Sequence, residues 1–195
     1  MTYDPSRHHR RSIRLPGYDY SQPGAYFVTI CVADREHLFG DVIDGVFQPN
    51  RFGHIVRAAL TSLPRRYPHL RLDAFVIMPN HVHVIFVLLA VPQTDGASDQ
   101  AVKPTPVRYS LSEIIRGFKT ESARKINRLR RTQGSPVWQR NYYERIVRDD
   151  RALNAIRRYI IDNPMRWHLD RHNADAVGPD QQAAQIWRMM RDDQA

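Results

Sequence analysis

A lone cysteine, Cys31, in a chain of 195 residues leaves no partner for an intrachain disulfide, so a hydrophobic core has to hold the fold and a reducing compartment is expected. Long apolar runs are missing too. The longest, residues 84–91, is far short of the roughly 20 residues a helix needs to cross a bilayer. The opening residues, Met1-Thr2-Tyr3-Asp4-Pro5-Ser6-Arg7-His8-His9-Arg10-Arg11, lack the apolar stretch of a secretory signal. No membrane contact is expected, and the cytoplasm is the expected location. Acidic residues are in deficit, with 20 Asp and Glu against 29 Lys and Arg and a formal charge of +9. Such a surplus concentrates polyanions near the surface; nucleic acid is the first partner to expect, an anionic membrane surface the rival. The remaining composition, 42% hydrophobic and 25% charged, is that of a globular protein, which excludes a disordered chain or a fibre.

The surplus is uneven. Residues 103–131 hold nine basic side chains, among them Lys119, Arg124 and Arg128, against only Glu113 and Glu121. Residues 1–23 mix Arg and His with Pro16, Gly17 and Pro23 and read as a basic arm. From Gly24 the run Ala25-Tyr26-Phe27-Val28-Thr29-Ile30-Cys31-Val32 is β-branched and aromatic, as in a central strand. Asp44-Gly45 suits the two positive-φ positions of a type I′ turn, so residues 38–47 are expected to form a hairpin. Phe52, Ile55, Val56, Ala59, Leu60 and Leu63 repeat at helical spacing up to Pro64, which is expected to stop that helix. Residues 70–78 and 82–89 form a strand pair around Pro79-Asn80.

Residues 90–109, with Pro92, Gly96, Pro104 and Pro106, read as a flexible linker. Ser110 and Glu113 form a capping box for a second helix, whose inner face is Leu111, Ile114, Ile115, Phe118, Ser122, Ile126 and Leu129. Gly134-Ser135-Pro136 is expected to end it. Trp138 and residues 142–147 are strand-like, and Asp149 or Asp150 caps a third helix with a Leu153, Ile156, Ile160 stripe, ended by Pro164. Residues 168–195 read as a polar tail, apart from an apolar patch at 186–190. The expected class is α+β: a ferredoxin-like, split βαβ antiparallel sheet with helices on one face. One domain over residues 24–167 accounts for this order. The fold serves many functions, so it decides little by itself.

Met78-Pro79-Asn80-His81-Val82-His83 carries more chemistry. On a strand, His81 and His83 leave one face while Val82 and Val84 leave the other, so two imidazoles converge as ligands for one divalent ion. A closed zinc site would want four protein ligands, so an open site fits better. On the third helix Tyr159 and Asn163 are four residues apart and share a face, beside small Ala152 and Ala155. Read separately, the His pair is equally a structural feature, Tyr159 a boundary aromatic and Asn163 a helix-end residue.

Together with Val137-Trp138-Gln139-Arg140-Asn141-Tyr142-Tyr143-Glu144-Arg145-Ile146-Val147-Arg148 and Arg158-Tyr159-Ile160-Ile161-Asp162-Asn163-Pro164, these residues closely resemble the REP-associated tyrosine transposases. These belong to the single-tyrosine HUH nucleases, named for a His-hydrophobic-His motif that His81-Val82-His83 matches completely. Arg11-Ser12-Ile13-Arg14-Leu15-Pro16-Gly17-Tyr18-Asp19-Tyr20 and the first strand also look like the opening of many members, so the resemblance runs from about Arg11 to Trp167.

The resemblance implies that residues 24–167 are an HUH transposase domain with the nucleophilic tyrosine on an extra C-terminal helix. It implies His81 and His83 as metal ligands, Tyr159 as nucleophile, and Asn163, where relatives often have Gln, as the residue completing the site. Tyr142 and Tyr143 are the rival nucleophiles. The implied reaction is transesterification of single-stranded DNA, such as a palindrome folded as a hairpin, with Mg²⁺ or Mn²⁺ and a 5′-phosphotyrosine intermediate. Lys119, Arg124, Arg128, Arg10, Arg11 and Arg14 are the expected phosphate contacts. The partner is single-stranded or hairpin DNA, and a homodimer is compatible with the reading. Two alternatives stand beside it: a domesticated nucleic-acid-binding protein of the same fold that no longer cleaves, and an RNA-binding ferredoxin-like domain that stacks bases on Tyr26, Phe27 and Phe86.

Overall fold

The computed structural model describes residues 17–91 and 108–192. Strands β1 (Gly24–Cys31), β4 (Leu70–Met78), β5 (His81–Leu88) and β6 (Tyr143–Val147) form one antiparallel sheet in the order β4-β5-β1-β6. That is the split βαβ order expected from the sequence. The central strand β1 has neighbours on both edges and a helical layer on both faces, which is why its sequence is apolar without alternation. Tyr26, Val28 and Ile30 point to one layer, with Val82, Val84 and Phe86 of β5. Phe27 and Ile85 point to the other.

The first layer is α1 (Arg51–Arg66) and α2 (Leu111–Arg130), which seal Val56, Leu60, Leu63, Ile114, Ile115 and Phe118 against the sheet. Helix α1 does not stop at Pro64 but runs to Arg66, because a proline in the last turn forfeits one bond while Tyr67 N–H still reaches Leu63 O at 2.9 Å. The capping box of α2 is formed as expected, but Leu129 is 50% exposed and Asn127 takes the inner position, its Nδ2 donating to Ser135 O. The helix ends on Arg131 in the left-handed region, φ 56°, ahead of Gly134.

The hairpin β2 (Gly40–Ile43) and β3 (Val46–Pro49) turns on Asp44 and Gly45, φ 50° and 73°, the positive pair a type I′ turn demands. Asn50 then caps α1: its Oδ1 accepts from Phe52 and Gly53 N–H, and its Nδ2 donates to Leu38 O at 2.9 Å. Asn50→Ala is expected to cost about 1–2 kcal/mol, read as a lower urea midpoint with an unchanged slope.

The second layer is α3 (Asp150–Asp162), capped by Asp149, and α4 (Gln181–Asp192). Helix α4 lies within the expected polar tail. Its apolar stripe of Ala183, Ile186, Trp187 and Met189 packs into the cluster of Phe27, Ile156 and Tyr159, while the Gln and Arg residues between make the segment read as polar overall. The bidentate pair of Arg157 with Asp73, 2.6 Å on each arm, ties α3 to β4 where the β4-β5 register shifts between Leu72 and Phe75. Tyr26, Phe27 and Phe86 are at most 1% exposed, so they are core and no base-stacking platform. No helix among the described residues is long and apolar enough to cross a membrane.

Candidate active site

The pairing of β1 with β5 sets Cys31 opposite His81 and Thr29 opposite His83, all facing the α3 layer. The two histidines are buried and their Nε2 atoms lie 3.1 Å apart. Asn80 fixes how His81 presents itself. Asn80 Nδ2 donates to Arg35 O and, at 2.8 Å, to His172 O, so its Oδ1 must be the acceptor of His81 Nδ1–H at 2.9 Å. His81 Nε2 therefore turns a lone pair toward His83. His83 Nδ1 is held by Thr29 Oγ1 at 2.8 Å.

Tyr159 reaches this pair from α3, with Oη 3.2 Å from His83 Nε2. Its ring is enclosed by Phe27, His83 and Trp187 and is 4% exposed. The rivals are placed elsewhere: Tyr143 packs edge-on against Trp187, and Tyr142 lies under Lys119 Nζ.

The segment after α3 completes the cluster. A 3-10 stretch, Pro164–Leu169, leads into Asp170, whose Oδ2 is 3.8 Å from His81 Nε2 and accepts from Asn163 Nδ2 at 3.4 Å. Its Oδ1 accepts from His172 N–H at 2.7 Å. The ligand atoms of His81, His83 and Asp170 all lie within 4.8 Å of one another. Asn163 is equally buried, and its Oδ1 has no hydrogen-bond partner among the described residues.

These groups fit a divalent cation. Two metal–nitrogen bonds of about 2.1 Å at a near right angle end on nitrogens about 3 Å apart, close to the His81–His83 separation. A carboxylate and an orphaned amide oxygen supply hard donors beside them, a mixed set that suits Mn²⁺ or a similar ion. Asn80 and Thr29 hold the outer ring nitrogens as partners of metal-bound histidines do.

The electrostatics agree. Burial, then the charges of His83, His172, Arg171 and Arg35, pushes His81 well below the usual imidazole range, and burial with His172 and Arg171 does the same to His83. Burial with Arg171 and Arg35 brings His172 down to about 3. Neutral imidazoles are what a metal requires. Burial raises the Tyr159 phenol, reinforced by Asp170 and Asp180 and opposed by Arg171 and the Asn163 amide, so the enclosed hydroxyl keeps its proton.

The structure thus brings together His81, His83, Tyr159 and Asn163, as the sequence reading expected. Asp170, His172 and Asn80 were not foreseen. Asn80 sits inside the quoted motif, whereas Asp170 and His172 lie in an aperiodic polar stretch that offers only an Asp-x-His spacing as a signal. Of the expected phosphate contacts, Arg124 and Arg128 are exposed on α2, across the sheet from Tyr159. Lys119 is engaged: its Nζ donates to Gln139 O at 2.6 Å and Arg140 O at 3.0 Å, and burial pulls it down to about 8. Arg10, Arg11 and Arg14 lie outside the described residues.

The family model for IS200-like transposases matches residues 102–163, a span that includes Tyr159 and ends on Asn163. An uncharacterized protein of Haemophilus influenzae is 38% identical over 183 residues, covering 89% of this chain and 98% of that protein. A second protein of that organism, provisionally named a REP-associated tyrosine transposase, is 29% identical over 149 residues, 76% of this chain and 74% of its own length. In fold, the chain is similar to the solved structure of a REP-associated tyrosine transposase bound to a REP hairpin, with a TM-score of 0.54 at 18% identity over 81% of this chain and 74% of that one. Residues 102–163 are thus similar to the IS200-like transposases. Over 76% of its length the chain is also similar in sequence to the second Haemophilus protein, and over 81% of it similar in fold to the hairpin-bound transposase.

Proposed function

We propose that this chain is a transposase that cuts and rejoins single-stranded DNA through Tyr159, acting on a palindrome folded as a hairpin. The observation that carries the reading is the convergence of Tyr159 Oη and His81 Nε2 on His83 Nε2, at 3.2 and 3.1 Å. The solved relative was captured with a REP hairpin, which supports the same substrate class here.

Tyr159 Oη forms a bond to phosphorus as the bond to the 3′ oxygen breaks, leaving a 5′-phosphotyrosine and a free 3′-hydroxyl. The ester bond is exchanged, not hydrolysed, so attack by another 3′-hydroxyl rejoins strands without ATP. A divalent cation such as Mg²⁺ or Mn²⁺, held by His81, His83, Asp170 and Asn163, would polarise the scissile phosphate and stabilise the charge that develops on it. Asn80 and Thr29 orient the imidazoles, and Phe27 and Trp187 fix the plane of the tyrosine. DNA as substrate keeps the proposed place of work in the cytoplasm.

Incubation with 5′- or 3′-labelled hairpin DNA and Mn²⁺, resolved on a denaturing gel, tests the reading. A protein-linked band carrying the 3′ segment is expected. Hairpin binding without any such band would make the chain a DNA-binding protein that does not cleave.

Arg124 and Arg128 are assigned to phosphate contacts away from the reaction centre. Changing both to Gln should flatten the plot of log affinity against log salt by about 1.8, at about 0.9 per contact on a base-paired stem, and weaken specific and scrambled hairpins alike. An unchanged slope returns this face of α2 to ordinary solvation.

A further inference from the structure

Between α3 and α4 lies a groove of about 400 Å³ that the chemistry above does not use. Its walls are Arg151 and Arg158 on one side and Gln182 and Gln185 on the other, over a floor of Ile186 and Met189. Arg151 and Arg158 are two turns apart on one face of α3, about 10 Å along its axis. Both are exposed. Neither guanidinium forms an ion pair or hydrogen bond among the described residues, in contrast to Arg157 and Arg166 of the same region, which are held by Asp73 and Asp180. The side-chain amides of Gln182 and Gln185 are equally unclaimed among those residues, and no carboxylate lines the groove.

Unpaired, exposed guanidiniums facing amide side chains across an acid-free groove suit a chain of phosphates. Each Arg offers a planar fork of donors to a phosphodiester, and Gln can bond to phosphate or to a base edge. The position narrows the occupant. Arg158 precedes Tyr159 in the chain, and Ile186, on the groove floor, precedes the Trp187 that packs on the Tyr159 ring. A strand running through this groove passes beside the helix that bears the nucleophile, whereas α2 and its arginines lie across the sheet.

We infer that the α3–α4 groove is the track for the single-stranded segment flanking the scissile phosphate, held through its backbone by Arg151 and Arg158. This rests on the strand-transfer reading for its choice of DNA. It assigns two separate anchoring surfaces: α2 for the folded part of the substrate and the α3–α4 groove for the unpaired tail.

The test compares the full chain with an Arg151→Gln, Arg158→Gln double variant on two labelled DNAs, a hairpin bearing a single-stranded tail and the same hairpin without it. The tailed DNA is expected to lose about 10-fold in affinity and about 1.4 in salt slope, at about 0.7 per contact, while the tailless hairpin binds as before. An Arg→Lys pair at both positions should retain most of the affinity, since the charge is kept. Equal losses on both DNAs, or none on either, overturn the assignment. Adduct formation by the unaltered protein is scored in parallel. An adduct with no tail-specific loss removes the groove and leaves the strand-transfer reading standing; a tail-specific loss with no adduct does the reverse.

Discussion

Tyr159→Phe is expected to abolish the covalent protein–DNA adduct, by at least about 10³-fold, while hairpin affinity stays within about 2-fold of the original. The oxygen proposed as nucleophile is removed outright, and loss of such a group costs the whole covalent route and not a fraction of it. The ring remains in its enclosure of Phe27, His83 and Trp187, so folding and binding have little reason to change. The denaturing gel reads the first quantity and fluorescence anisotropy the second. An adduct that survives in the Phe variant and disappears when Tyr143 is also changed would transfer the chemistry to Tyr143.

Removal of one imidazole should be equally decisive. With His81→Ala or His83→Ala, Mn²⁺ affinity is expected to drop by more than about 100-fold and cleavage at limiting metal to vanish. Even the partners of metal ligands are worth about 10–100-fold, which is the range expected for Asn80→Ala. Asn163→Ala should do less than either histidine change, since Asp170 is a second oxygen donor close to the pair. Calorimetry with Mn²⁺ gives the affinities. If both histidine variants bind Mn²⁺ and cleave as the parent does, the pair is structural and the metal site has to be abandoned.

Much of this arrangement is legible in the sequence because strong periodicities and short turns carry it. A strand buried on both faces, the Pro79-Asn80 connection, the capping box of α2 and the His-x-His spacing each have local causes. Tyr159 and Asn163 could be matched to the histidines only through family resemblance, since 76 residues separate Tyr159 from its nearest imidazole. What escaped the sequence reading depends on tertiary context. Asp170 and His172 enter the site from an aperiodic stretch whose path is set by the 3-10 stretch Pro164–Leu169 and by the ion pair of Arg166 with Asp180. Lys119 looks like any other basic residue on a charged helix until the carbonyls of Gln139 and Arg140 are seen to claim it. Helix α4 shows in the sequence only as the apolar patch at 186–190, because its first turn is Gln- and Ala-rich and the surrounding segment is polar.

In the proposed strand transfer, the aromatic walls around Tyr159 bear on how a captured strand is held. A phosphotyrosine has two competing fates, release by water and rescue by an incoming 3′-hydroxyl, and only the second conserves the genome's continuity. Either nucleophile attacks phosphorus in line with the departing tyrosine oxygen, from the side away from the ring, so Phe27 and Trp187 act by fixing where that oxygen sits and not by shielding phosphorus. On the proposed chemistry, widening that enclosure would loosen the position of the oxygen and lower the yield of adduct without touching a single group that makes the bond.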